Sequence, residues 1–191
     1  MSINIEEFDA LVAYLHERSL VIEEQHVDCT QLSGGVSNRA VLVAVDGVDR
    51  WVVKQALEKL RVQVDWFSLP ERIHREAAGL RALGEMLPTG ATPAFVFEDR
   101  DEHILVMDAV PQPHANWKSM LLAGELQAAH IRQFGAMLAR IHGHAARNHV
   151  KYAKQFVDRH FFETLRIEPY YRYSAQQVPA AADFLAALID A

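Results

Sequence analysis

With one cysteine, Cys29, in 191 residues, the chain has no way to form an internal disulfide. Its fold must rest on a buried core, and a reducing, cytoplasmic setting is the natural expectation. Positive charge is also short, with 19 Lys and Arg against 25 Asp and Glu, a formal net charge of −6. A protein whose main task is to neutralise a nucleic-acid backbone needs the opposite balance. No apolar run approaches the ~18 residues of a membrane span. The opening segment Met1 to Asp9 is acidic where a signal peptide would be basic and then continuously apolar. The expectation is therefore a protein engaging neither nucleic acid nor membrane. Internal repeats are missing too, and half of the residues are hydrophobic, as in an ordinary globular protein.

Apolar residues at Ile5, Phe8, Leu11, Val12 and Leu15 recur at helical spacing, with Asn4 as the expected N-cap and Glu6 and Glu7 in the first turn. Three strands follow, at Val27 to Leu32, Arg39 to Val45 and Arg50 to Gln55. Asp46-Gly47 marks a hairpin between the last two, because such turns need positive φ. The spacing of Ile73, Ala77, Leu80, Leu83 and Leu87 predicts a helix over 70–86, closed by Pro88, Gly90 and Pro93. Strand-like runs at Ala94 to Glu98 and His103 to Met107 flank the charged turn Asp99 to Glu102. Val110-Pro-Gln-Pro113 then stiffens the chain and denies a sheet its hydrogen bonds. Beyond it the pattern is helical, at 117–122, 126–147, 155–165 and 180–189. Segregated strands and helices predict an α+β fold in two lobes: 1–109, a linker at 110–115, and 116–191.

Three local features bear on chemistry. Leu32-Ser-Gly-Gly-Val-Ser-Asn38 is a turn of small residues entering a strand, where backbone N–H groups can approach a phosphate with no Cβ in the way. Lys54 ends the apolar run Trp51-Val-Val within a strand. Glu76 lies on the next helix, in Arg75-Glu-Ala-Ala-Gly-Leu80. Each has a plain alternative: a hairpin turn, a solvated edge lysine, a surface glutamate beside Arg72 or Arg75. Their order is more informative than any one of them. A glycine-rich hairpin, a strand lysine, a helix glutamate, two strands and a proline-bearing linker follow the sequence of a kinase-like nucleotide lobe.

On the segments Ser33 to Asn38, Trp51 to Lys54, Arg75 to Leu80, Ile104 to Pro111 and Gly135 to His142, the chain resembles the aminoglycoside phosphotransferase-like family, which has the protein-kinase-like fold. The resemblance implies an ATP-dependent kinase acting on the hydroxyl of a small molecule. It implies that Lys54 meets the α- and β-phosphates and is held by an ion pair with Glu76. Ser33, Gly34, Gly35, Ser37 and Asn38 would cover the phosphates, and the backbone of Asp108 and Val110, just after Met107, would bind adenine. The paired glycines depart from the Gly-x-Gly-x-x-Gly loop of protein kinases and favour a small-molecule kinase.

The family's catalytic His-Gly-Asp segment, with the asparagine and the magnesium-binding aspartate that follow it, has no counterpart in the sequence. His142-Gly143-His144 carries histidine where the aspartate belongs. Asp99-Arg-Asp101 lies in the small-lobe turn, and Asp183-Phe-Leu185 lacks the glycine. No catalytic or magnesium-ligating residue is therefore assigned. The expectation is an amino-terminal portion of the family fold that lacks the base and transfers no phosphate, with magnesium ligands outside it. Exposed faces on its later helices are expected to promote self-association. A non-catalytic nucleotide-binding or interaction module is the alternative. His142, His144 and His149 lack a completing carboxylate or cysteine and are not assigned to a metal.

Overall fold

Asp46 and Gly47 both adopt positive φ, 53° and 78°, the geometry that lets a two-residue turn follow the twist of its strands. They join β2 (Asn38–Val45) to β3 (Val48–Ala56), and β1 (Val27–Gln31) lies outside β2. The computed structural model describes residues 3–33 and 35–190. β4 (Phe95–Asp99) and β5 (Ile104–Asp108) complete a sheet of order β1-β2-β3-β5-β4, antiparallel throughout. The α+β architecture expected from the sequence is the one found.

Alternation along the strands gives each face of the sheet its own cover. Val41, Val43, Trp51, Val53, Ile104 and Val106 pack with Leu11, Tyr14 and Leu15 of α1 (Phe8–Glu17). Ala56, Leu105 and Met107 instead meet Ile73 and Ala77 of α2 (Arg72–Met86). Leu11, Leu15, Val41, Val43 and Val53 are fully buried, and each large apolar side chain so placed contributes about 1.5–3 kcal/mol. α1 starts later than the sequence predicts. Asn4 accepts the N–H of Glu6 through its side chain, and its carbonyl accepts that of Glu7, closing a turn ahead of the helix. Asn4 is therefore not the N-cap, and Glu6 is freed to bind Arg61 and Gln31.

The chain divides into two compact units, 1–147 and 148–191. The proline-bearing segment 110–115 lies inside the first, leading from β5 to α3 (Trp117–Leu122) and α4 (Ala128–Arg147). The second unit begins with a helix at His149–Phe156 and ends with one at Ala182–Asp190. Between them, Glu163–Arg172 forms a π-helix containing Pro169. Proline has no N–H for an α-helical bond and crowds the preceding turn, which a widened turn accommodates. The sequence pattern ran a single helix through 155–165; the structure breaks it at 157–159. His142 and His149 do not share a helix, because α4 ends at Arg147.

Candidate functional site

Lys54 stands opposite Ala40 of β2 and Leu105 of β5. Its neighbours Val53 and Gln55 are buried, so alternation turns Lys54 to the α2 side of the sheet. On α2, Ile73 and Ala77 are the apolar anchors. Glu76, next to Ala77, is thereby held at the margin of the buried face. Lys54 Nζ donates to Glu76 Oε1 at 2.6 Å, and the two side chains are 28% and 36% exposed. A half-open cation fixed by a carboxylate is positioned and still reachable by an anion.

The turn before β2 lies at the same end of the sheet, since Asn38, its last residue, pairs with Ala56, two residues past Lys54. Two backbone bonds hold its second half: Leu57 N–H to the Ser37 carbonyl at 3.0 Å and Arg61 N–H to the Val36 carbonyl at 2.8 Å. Ser33 and Gly35 are exposed, while Ser37 and Asn38 are half-buried. Gly34 lies outside the described residues. A Cβ built on Gly35 would meet only the Asn38 carbonyl oxygen, at 3.8 Å, an ordinary contact, and Gly35 has no positive φ. The fold itself therefore does not demand glycine there. Gly35→Ala is expected to leave the melting temperature within about 2 °C, since its backbone is compatible with alanine. If the open face of this turn receives a ligand, the same variant loses ligand affinity.

At the far end of β5, Met107 is buried against α2. The Asp108 N–H donates to the Ala94 carbonyl at 2.9 Å, and the Ala109 N–H to the Arg50 carbonyl at 3.0 Å. The Asp108 N–H is thus committed to the sheet. The groups of this segment left for a ligand are the Asp108 carbonyl and the Val110 N–H. Val110 itself is exposed. Lys54 and Glu76 are thus brought together by β3 and α2, with the turn 35–38 toward one end of β3 and Met107 and Asp108, opposite Val52 and Trp51, toward the other.

With the five-stranded sheet, the lysine–glutamate pair and the turn in place, one comparison becomes decisive. The model of the phosphotransferase enzyme family matches residues 28–191. The chain belongs to that family. No curated protein matches it significantly. At family level its chemistry is phosphoryl transfer on a kinase-like fold. α1, at 8–17, precedes the matched residues.

Other parts of the chain were not legible as motifs. Arg72, which the sequence suggested as a surface neighbour of Glu76, is buried at 7% exposure. Its one available signal is its place four residues ahead of Glu76, beside the apolar Ile73. Asp99, in the small-lobe turn, is 4% exposed and accepts from the Tyr14 hydroxyl, Arg18, and the N–H groups of Asp101 and Glu102. Among the described residues, no group of three or more His, Cys, Asp or Glu side chains is arranged to hold a metal ion. No described helix is long and apolar enough to cross a membrane.

Proposed function

We propose that the chain binds ATP between the turn 33–38, the Lys54–Glu76 pair and the strand end at 107–110, as the nucleotide-binding part of a kinase whose acceptor is a small-molecule hydroxyl. The observation that carries this is the Lys54–Glu76 ion pair, made between a strand and a helix 22 residues apart at a site open to solvent. Lys54 neutralises the α- and β-phosphates, and Glu76 limits the arc through which its long side chain swings. Exposed backbone N–H groups around Gly35, with the Ser33 and Ser37 hydroxyls, are the remaining donors. The Asp108 carbonyl accepts from the adenine amino group and the Val110 N–H donates to the ring. Phosphoryl transfer depends chiefly on positioning and charge neutralisation, which such parts supply.

Magnesium, when it accompanies the triphosphate, neutralises phosphate charge. The described residues supply no cluster of ligands for it, and Lys54 is the cation they offer to the phosphates. The 191 residues likewise contain no His-Gly-Asp segment to position and deprotonate an acceptor. Binding without turnover is the expected behaviour of this chain. A nucleotide-binding module without chemistry is the second reading, and it is this missing segment that favours it.

Calorimetry with ATP tests the binding claim; a saturable, one-to-one isotherm is the expected result, and no heat at millimolar ATP overturns it. Incubation of the 191-residue chain with magnesium, labelled ATP and a panel of hydroxyl acceptors is expected to give no product above background. Sustained turnover would show that another residue serves as base. Association is a separate expectation. α4 leaves Ile131, Phe134 and Leu138 exposed at helical spacing, and apolar patches beyond ~400 Å² promote contact between copies. Light scattering should report a mass above that of the monomer, and a monodisperse monomer removes this part of the proposal.

A further inference from the structure

We infer that Arg72 is a positioning residue that locks the glycine-rich turn to the Lys54–Glu76 pair, an inference that rests on the nucleotide-site reading above. Its guanidinium bonds to four carbonyls and to no carboxylate. Nη1 donates to Ser68 at 3.0 Å and Leu69 at 3.1 Å; Nη2 donates to Leu57 at 2.7 Å and to Ser37. These acceptors belong to three segments. Ser37 is in the turn, Leu57 follows β3 three residues after Lys54, and Ser68 and Leu69 lead into α2, which carries Glu76.

Helix stability does not explain this residue. Arg72 is the first residue of α2, at the positive end of the helix dipole, where a cation is disfavoured. Burial pushes its proton affinity down, and only the nearby Glu76 charge counters that. A charge kept at so unfavourable a place is accounted for by what it ties together. The planar fork of arginine reaches carbonyls on both sides at once, which a lysine ammonium on a flexible stem cannot reproduce. The bonds from Leu57 N–H to Ser37 and from Arg61 N–H to Val36 continue the same clamp along the turn. With both terminal nitrogens committed to carbonyls, Arg72 is not itself a phosphate ligand. It acts through the turn and through Glu76, holding the phosphate side of the site and leaving the adenine side at 108–110 to β5.

This division gives a test that a general loss of stability does not imitate. The full 191-residue chain and its Arg72→Lys variant are titrated with ATP and with adenosine, and amide hydrogen exchange is followed in both proteins. Lysine keeps the charge and loses the fork. The expected result is a roughly tenfold rise in Kd for ATP with the Kd for adenosine within about twofold, corresponding to ~1.4 kcal/mol on the phosphates alone. The Leu57 and Arg61 amides should exchange about tenfold faster while those of β3 and β5 do not change. Equal weakening of ATP and adenosine, or unchanged exchange at Leu57 and Arg61, overturns the inference. If the lysine variant does not fold, Arg72→Gln, neutral and with two remaining donors, is held to the same outcomes. Failure of the underlying reading is seen separately: Lys54→Ala then binds ATP as the parent does, and the exchange experiment alone decides whether Arg72 clamps the turn.

Discussion

Replacing Lys54 with alanine is expected to weaken ATP binding by roughly ten- to a hundredfold, because a hydrogen bond to a charged group is worth about 1.5–3 kcal/mol. The same substitution should barely change stability. The Lys54–Glu76 pair is about one-third exposed, and pairs of this kind contribute at most ~1 kcal/mol. The contrast between a large effect on binding and a small one on folding separates a ligand-binding lysine from a structural one. Glu76→Gln should fall between the parent and Lys54→Ala, since the cation remains and its anchor weakens. A chemical denaturation curve beside each titration supplies the comparison. Loss of affinity together with several kcal/mol of stability would mean that the pair belongs to the fold rather than to the site.

Asp99→Ala should do the reverse, costing about 1–3 kcal/mol of stability, the range for leaving a buried donor without its acceptor. Asp99 Oδ2 accepts from the Tyr14 hydroxyl at 2.9 Å and from Arg18 Nη2 at 2.5 Å, and Oδ1 accepts from the N–H groups of Asp101 and Glu102 at 2.9 and 3.1 Å. Alanine leaves a buried hydroxyl and an arginine without their acceptor, and it unlocks the β4–β5 turn from α1. Burial pushes the Asp99 carboxyl up in pKa; the Glu102 N–H, the Tyr14 hydroxyl, the Asp101 N–H and the Arg18 charge outweigh it, so the net shift is downward from 3.8. A folded-state pKa below the unfolded one stabilises the protein above about pH 4, and that contribution is lost as pH falls through the folded value. Glu6, held low chiefly by Arg61, adds to the same trend. Urea midpoints measured from pH 6 down to pH 2 should fall steeply for the parent and less steeply for Asp99→Ala. An unchanged slope would remove Asp99 from the acid response.

Much of the sheet was readable because its signals are local. Asp46-Gly47 specifies its own turn, and the valine-rich alternation of β2 and β3 fixes which side chains face α1 and which face α2. Lys54 and Glu76 were legible as a pair through their order along the chain, and the geometry brings them to hydrogen-bond distance. What escaped depends on contacts distant in sequence. Nothing near Arg72 announces that its acceptors lie 35 and 15 residues before it. Nothing near Asp99 announces Tyr14, 85 residues away. The start of α1 was misplaced for a related reason: Asn4 is a good N-cap by type, but Ile5 is drawn into the core and Glu6 to Arg61. In the second unit, a helical period alone could not show that Pro169 lies in a π-helix or that residues 157–159 interrupt the run.

The central claim is that one nucleotide spans the turn, the Lys54–Glu76 pair and the end of β5. An amide-resolved NMR titration of the 191-residue chain with ATP tests it most directly. Saturable shifts are predicted at Gly35, Ser37, Lys54 and Val110, with adenosine reproducing those at Val110 and leaving those at Gly35 and Ser37 unmoved. No saturable shift at millimolar ATP, or shifts confined to residues away from all three elements, would contradict it.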